Sequence, residues 1–166
     1  MARKKILILT GEISGDIHGY HIAKKLLENK DIEIHALGGE KLKSLPIKII
    51  ADLSEFSTVG FTAFIPYLSK ILKIKKLVNT YIKNNNYDLA IFIDNQGFNI
   101  PVARQCRKLG IKCIYYFPPI VSVWDRKNAK IISKIYQKII CPFKADHEIY
   151  SMHTSNSEFV GHPFVD

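Results

Sequence analysis

The chain has 166 residues, 47% of them hydrophobic and 23% charged, a composition typical of one globular domain with a buried core. The formal net charge of +9 comes almost entirely from lysine. This excess indicates either a codon bias or an anionic partner, such as a membrane surface or a phosphorylated ligand. Nucleic acid is the least favoured partner, and we expect none, because no basic stripe is interleaved with aromatic residues.

The cysteines indicate an intracellular protein without structural metal. They are three in number and lack C-x-x-C spacing, which argues against a disulfide framework and a zinc site and suggests a reducing cytosol: Cys106, Cys113 and Cys141. The N-terminal apolar run is too short for a signal peptide. No segment approaches the roughly 20 apolar residues that a membrane-spanning helix needs.

Short apolar runs alternate with longer amphipathic ones along the whole chain. In chain order they predict strand Lys5–Leu9, helix Asp16–Asn29, strand Ile32–Ala36, helix Glu40–Ser44, strand Lys48–Ile50, helix Tyr67–Asn84, strand Asp88–Ile93, helix Ile100–Leu109, strand Ile111–Tyr116, helix Lys127–Lys134, strand Lys138–Cys141, helix Ala145–Tyr150 and strand Glu158–Val160. This alternation predicts an α/β fold, a Rossmann-like doubly wound and mostly parallel sheet. Without a repeat or linker, residues 1–166 are expected to form a single domain.

The first strand-to-helix turn, TGEISGD, holds two glycines, two acids and a hydroxyl within six residues, which is more than a plain turn needs. Ligands bind outside the carboxyl ends of strands in such sheets, and helix N-termini attract anions. Two glycines, Gly11 and Gly15, permit close backbone approach. Asp16 is either a ligand-binding residue or the N-cap of the helix, with Ser14 supporting the turn. Glu12 has no such capping role. Neither a dinucleotide fingerprint nor a P-loop is present.

Motifs through nearly the whole chain resemble those of lipid-A-disaccharide synthases. TGEISGDIHG is similar to the family's opening G-E-x-S-G-D with H-G close behind, and FVGHP is similar to its F-V-G-H-P. The stretch IDNQGFN resembles its I-D-x-P-D-F-N. Weaker matches lie at Gly38-Gly39, Val59-Gly60, Tyr116, Pro119, Val121, Trp124 and Pro142-Phe143.

The resemblance implies a fold and a reaction. The fold would be the N-terminal half of a GT-B glycosyltransferase, with the active site in a cleft between two domains and no metal or other cofactor. The reaction would transfer diacylglucosamine from UDP-acylglucosamine to the 6-hydroxyl of an acylglucosamine 1-phosphate. The enzyme would be cytoplasmic, peripheral on the inner face of the cytoplasmic membrane. The stretch FTAFIPYLSKILKIKK suits insertion beside lysines, or is an ordinary helix with a solvated lysine face.

The sequence also departs from the family pattern. It ends at GHPFVD, where the family continues into a nucleotide-sugar domain, so that half is expected to be absent from this chain or on a separate one. Gly97 stands where the family has the second Asp of its D-x-P-D-F-N element, implied as a general base. Other polar family positions are altered at Ala63, Pro118, Ile120, Ser122 and Lys144.

Two functions remain open at this point. In a glycosyltransferase half, Asp94 would be the general base, with Glu12 as its rival. The structural alternative for Asp94 is a cap of the next helix. The second function is a binding module without catalysis or a degenerate paralogue, and another enzymatic alternative is half of a different GT-B transferase or epimerase. The resemblance implies that substrate contacts come from Gly11, Ser14, Gly15, Asp16, His18, Asn99 and His162. Structural alternatives are a surface position for His18, a helix cap for Asn99 and an apolar anchor for Trp124.

Overall fold

The computed structural model describes residues 3–52, 64–123 and 126–163. Within them the strands are β1 (Lys4–Thr10), β2 (Ile32–Gly38), β3 (Lys48–Asp52), β4 (Leu89–Ile93), β5 (Lys112–Tyr116), β6 (Lys138–Cys141) and β7 (Ser157–Phe159). The helices are α1 (Ile13–Leu26), α2 (Glu40–Lys43), α3 (Phe64–Asn84), α4 (Gln96–Lys108), α5 (Arg126–Ile135) and α6 (Lys144–Ser151).

The seven strands form one sheet in the order β3-β2-β1-β4-β5-β6-β7, and every pairing is parallel. The chain moves outward in one direction from β1 to β3 and then returns to continue from β4 on the other side of β1. The order therefore reverses between β1 and β4. In a doubly wound sheet this reversal opens a crevice at the carboxyl ends of those two strands, and ligands bind there.

Helices cover both faces of the sheet. On one face α3 packs on α4, α4 on α5 and α5 on α6, over a large apolar core that includes Phe92, Val102 and Ile132. The other face is covered by α1 and α2 over a smaller core that includes Ile8 and Leu42. Burial of β1 and β4 on both sides explains their nearly continuous apolar sequences, ILIL and LAIFI.

The predicted fold class and the order of elements are confirmed, but several helix starts were wrong. Helix α1 begins at Ile13, so Asp16 lies inside its first turn and does not cap it; Glu12 occupies the N-cap position, but its side chain makes no capping hydrogen bond. Helix α4 begins at Gln96, and its N-cap is Asn95, whose side chain accepts a hydrogen bond from the Phe98 amide at 3.1 Å. Asp94 is therefore not the cap.

Some predictions fall outside the described residues. These are the Val59-Gly60 match, the altered position Ala63 and the anchor Trp124, together with the first residues of the stretch FTAFIPYLSKILKIKK. In the part of the chain that is described, no helix combines the length and the apolar character needed to cross a membrane. The three cysteines are buried and free.

Candidate active site

A cavity of about 360 Å³ opens at the carboxyl ends of the central strands, where the strand order reverses. Its lining comes from the turn after β1, from the segment joining β4 to α4 with the first turn of α4, and from the loop after β5. The described lining residues are Glu12, Asp94, Asn95, Gln96, Gly97, Phe117, Pro118, Pro119 and Ile120. Both residues predicted to be catalytic are among them.

Two carboxylates, Glu12 and Asp94, share this cavity. Burial, followed by the charge of Glu12, raises the pKa of the Asp94 carboxyl from its ordinary 3.8 to about 6. A hydrogen bond from the Ser14 hydroxyl to Asp94 Oδ2, at 3.4 Å, opposes the shift. A carboxyl with a pKa near 6 is ionised at neutral pH and is a stronger base than an ordinary aspartate, which suits it to accept a proton from a hydroxyl.

The glycines of the first turn make room for the segment that follows β4. A Cβ atom added at Gly11 would lie 2.1 Å from Asn95 Cβ, a distance at which the two segments cannot pack. One added at Gly15 would lie 3.2 Å from Asp94 Oδ2. Gly11 therefore allows the ends of β1 and β4 to approach, and Gly15 allows the Asp94 carboxylate to lie against the first turn of α1.

Asp16 lies away from the cavity and has a different set of partners. Its side chain is 4% exposed and accepts hydrogen bonds from the backbone amides of Gly39 at 2.7 Å, Lys41 at 2.8 Å and Leu42 at 3.3 Å. These amides belong to the N-terminus of α2, whose own N-cap residue is Gly39 and therefore provides no side-chain cap. Asp16 thus caps the neighbouring helix and ties α1 to the turn after β2.

The two predicted histidines meet at one residue of the cavity wall. His18 stacks on Phe117 with ring centroids 4.1 Å apart, and His162 contacts the same ring edge-on at 5.4 Å. Phe117 has a φ of +54°, a conformation that a bulky residue rarely adopts. His18 is buried, so the surface position considered for it is wrong, and burial, followed by the charge of His162, lowers its pKa.

The loop after β5 is fixed to α6 by two hydrogen bonds. The buried carboxylate of Asp146 accepts from the Ser122 amide at 2.9 Å, and the Tyr150 hydroxyl donates to the Pro119 carbonyl at 3.1 Å. Neither anchoring residue was predicted from sequence. Their only signal was membership of the short predicted helix Ala145–Tyr150, because contacts between a loop and a helix 24 or 31 residues away leave no local pattern.

The other predicted binding residues do not line the cavity themselves. Ser14 reaches it through its bond to Asp94, whereas Asn99 is fully buried inside α4 and is not the cap that was considered. Gly11, Gly15, Asp16, His18 and His162 are also not among the described lining residues. Over the described ranges, no group of three or more His, Cys, Asp and Glu side chains could hold a metal ion.

Fold and site together define a class, namely a Rossmann-like domain of the GT-B type with a cleft at the reversal of strand order. Solved structures of similar fold include a UDP-N-acetylglucosamine 2-epimerase, with a TM-score of 0.66, 10% identity and coverage of 96% of this chain and 48% of that one. The UDP-GlcNAc 2-epimerase of Neisseria meningitidis bound to UDP-GlcNAc has a TM-score of 0.63 and 12% identity, covering 95% and 46%. At such identities the likeness concerns the fold alone.

The sequence comparisons are more specific. A model of the lipid-A-disaccharide synthetase family matches residues 6–166, and the chain belongs to this family. Lipid-A-disaccharide synthase 1 of Legionella pneumophila is 32% identical over 163 residues, which is 97% of this chain and 42% of that protein. The chain spans less than half the length of the curated relatives it matches.

Proposed function

We propose that this chain is the acceptor-side half of a lipid-A-disaccharide synthase-like glycosyltransferase. The observation that carries the proposal is the pairing of Glu12 and Asp94 in one cavity at the reversal of strand order. Family membership supports the substrates: a UDP-activated diacylglucosamine as donor and a diacylglucosamine 1-phosphate as acceptor. The nucleotide-sugar half lies outside the 166 residues and completes the cleft.

In the proposed reaction Asp94 is the general base. Its carboxylate takes the proton of the acceptor 6-hydroxyl while that oxygen forms a bond to C1 of the donor sugar, and the bond from C1 to the UDP oxygen breaks. Burial, together with the negative charge of Glu12, keeps the Asp94 carboxyl basic enough for this step, and the Ser14 hydroxyl donates a hydrogen bond to one of its oxygens. Positioned general bases contribute about 10²–10⁴-fold to rate.

One residue of the cavity favours the second candidate, a binding module without catalysis. Gly97 lines the cavity where the family element carries an Asp, so the site has one carboxylate fewer than that element provides. In a binding module Asp94 would contact the sugar hydroxyls of a ligand without taking a proton. The two candidates predict different results for Asp94→Asn. In the glycosyltransferase this variant loses turnover, whereas in the binding module there is no turnover to lose and the variant changes only ligand binding.

The experiment joins this chain to the C-terminal part of the Legionella relative and measures transfer from UDP-diacylglucosamine. We expect turnover, a loss of kcat of at least about 100-fold in Asp94→Asn, and little change in Glu40→Gln, an exposed acid on α2. Turnover that survives Asp94→Asn would reject Asp94 as the base. Absence of turnover together with measurable binding of the acylated sugar would favour the binding module.

We further propose that the protein works in the cytoplasm at an anionic membrane surface. Helices α3, α4 and α5 contain 12 of the 24 Lys and Arg residues and none of the 15 Asp and Glu residues. Apolar side chains are exposed among these cations at Leu72, Leu77 and Ile131. Cations interspersed with exposed aliphatic groups suit an anionic lipid surface that carries acylated substrates.

A further inference from the structure

The backbone carbonyl of Asp94 receives two hydrogen bonds from fully buried side chains. Asn99 Nδ2 donates to it at 2.6 Å, and the Tyr115 hydroxyl donates at 2.7 Å. The same Asn99 amide donates to the carbonyl of Ile93 at 3.1 Å. Asn99 on α4 therefore holds the carbonyls of both Ile93 and Asp94, and Tyr115 on β5 also holds that of Asp94.

The backbone held in this way has an unusual conformation. Asp94 has a φ of +53° and Asn95 a φ of +31°, both in the left-handed region. Non-glycine residues adopt this region at a cost of about 1–2 kcal/mol, and the conformation persists where surrounding contacts hold it. The departure from extended backbone sets the direction in which the Asp94 side chain leaves the end of β4.

Asn99 is retained in the core despite an energetic cost. Its Oδ1 atom is buried and has no hydrogen-bond partner among the described residues. A buried unsatisfied acceptor costs about 1–3 kcal/mol, so an apolar residue of similar shape would suit the core better. An apolar residue could not donate the two hydrogen bonds that Asn99 Nδ2 makes to the carbonyls of Ile93 and Asp94. Burial raises the pKa of Tyr115, so its hydroxyl keeps its proton and stays a donor across the physiological range.

We propose that Tyr115 and Asn99 are positioning residues that hold the Asp94 peptide in its left-handed conformation and so direct the Asp94 carboxylate into the cavity beside Glu12. We call the hydrogen bonds from Tyr115 and Asn99 to the Asp94 carbonyl the clamp. The role of the clamp in catalysis rests on the proposed function, in which Asp94 is the base. The clamp itself is a structural relation that can be measured without turnover.

The chain offers a matched pair of variants for the test. Tyr115→Phe removes the hydroxyl that donates to the Asp94 carbonyl. Tyr136→Phe removes a hydroxyl from the neighbouring ring, 4.5 Å away between centroids, and that hydroxyl is buried without a hydrogen-bond partner among the described residues. Both variants keep the aromatic packing of the core. Any difference between them therefore reports the hydrogen bond to Asp94.

The measurement is a ¹³C NMR titration of the Asp94 carboxyl in the 166-residue chain. Glu12 is the titratable carboxyl that faces Asp94, and it is followed in the same spectra. We expect Tyr115→Phe to lower the pKa of Asp94 by about one unit, since a released carboxylate turns toward solvent and away from Glu12. Tyr136→Phe is expected to leave it unchanged. An unchanged Asp94 titration in folded Tyr115→Phe, or an equal shift in Tyr136→Phe, would overturn the clamp.

If Tyr115→Phe does not fold, Asn99→Leu replaces it. This change removes the hydrogen bonds from Nδ2 to the carbonyls of Ile93 and Asp94 and puts an uncharged side chain of similar size in the core. A lowered pKa of Asp94 in Asn99→Leu supports the clamp, and an unchanged one overturns it. In the joined enzyme, Tyr115→Phe should lower kcat about tenfold with KM unchanged and move the pH midpoint of kcat as the NMR titration moves. A normal NMR result with no turnover in the wild-type protein would reject the proposed function and leave the clamp standing.

Discussion

At the scale of single residues, the ionised Asp94 carboxylate is held at a cost to the fold. Its pKa is about 6 in the native state against an ordinary 3.8, so between these values the native state binds more protons than the unfolded state. The free energy of unfolding therefore falls as pH rises through this window and levels off above it. If Asp94 is the proposed base, the burial that makes it more basic also lowers the stability of the domain, so activity and stability make opposite demands on this residue.

We predict that Asp94→Asn stabilises the domain at pH 8 and much less at pH 4. A shift of this size corresponds to about 3 kcal/mol at most, which partial exposure of the side chain reduces to about 1–2 kcal/mol. Urea unfolding of both proteins at the two pH values measures the effect, and the difference between pH values removes any intrinsic preference of Asn for left-handed backbone. An equal effect at pH 4 and pH 8 would contradict the predicted charge cost.

Gly97 is a second residue at which the site can accept a change. A Cβ atom added there meets only Asn95 Oδ1, at 3.7 Å, and the position lies in the first turn of α4. Replacing glycine within a helix gains about 0.5–1 kcal/mol, and an acid near a helix N-terminus gains a further 0.3–1 kcal/mol or so.

We therefore predict that at pH 5, where the Asp94 carboxyl is mostly protonated, Gly97→Asp raises stability by about 1 kcal/mol, and Gly97→Asn by less because it lacks the charge. At pH 8 the gain in Gly97→Asp should be smaller, because the new charge repels the ionised Asp94 carboxylate. Thermal unfolding of the two variants beside the wild-type protein checks this. Gly97→Asp should also raise the pKa of Asp94, because it adds a carboxylate to the same cavity. Destabilisation by both variants would show that the backbone at Gly97 does not accept a side chain.

At the scale of elements, α2 depends on a carboxylate from another helix. Its four residues are too few to be stable alone, and three of its N-terminal amides donate to Asp16. We predict that Asp16→Ala lowers the free energy of unfolding by about 2–4 kcal/mol, since a buried set of charge-assisted hydrogen bonds is lost. Urea unfolding measures this, with Glu40→Gln on the exposed side of α2 as a control that should change little. A loss below about 0.5 kcal/mol would contradict the capping role.

The same elements show how far sequence alone could go. Strand positions were predictable because a strand that is buried on both faces of a sheet has a continuous short run of apolar residues, such as LAIFI. The start of α4 was not: the helix was predicted from Ile100, whereas the Asn95 side chain caps a helix that begins four residues earlier, at Gln96. Likewise Asp16 looked like a cap for its own helix, and its true partner, α2, becomes visible only when the fold brings the two together.

The candidate site was predictable to a similar degree. Glu12 and Asp94 could be placed at the cavity because both follow strands whose carboxyl ends meet at one edge. The support of the site could not be predicted, because Tyr115 and Asn99 act through a backbone carbonyl and their sequence positions look like ordinary strand and helix residues. Motif matching identified Asn99 but attributed to it a substrate contact that its full burial does not support.

At the scale of the whole molecule, positive charge is concentrated in three of the helices that cover one face of the sheet. Outside α3, α4 and α5 the chain has 12 Lys and Arg residues against 15 Asp and Glu, so those three helices more than account for the net charge of +9. A codon bias toward lysine does not by itself explain the absence of carboxylates from the layer that α3, α4 and α5 form. One-sided charge of this kind orients a protein toward an anionic surface.

We predict that the 166-residue chain binds vesicles containing phosphatidylglycerol through this layer and releases them at high salt. Each basic residue near such a surface contributes about 1 kcal/mol, so Lys130→Glu combined with Lys134→Glu on α5 should weaken binding by at least about thirtyfold. The matched control, Lys24→Glu with Lys41→Glu, makes the same change of charge on the α1 and α2 side and should weaken binding far less. Flotation at 50 mM and 500 mM salt measures both. Equal weakening by the two pairs would mean that net charge, and not this layer, drives binding, while preference for duplex DNA over vesicles would reject the lipid surface as partner.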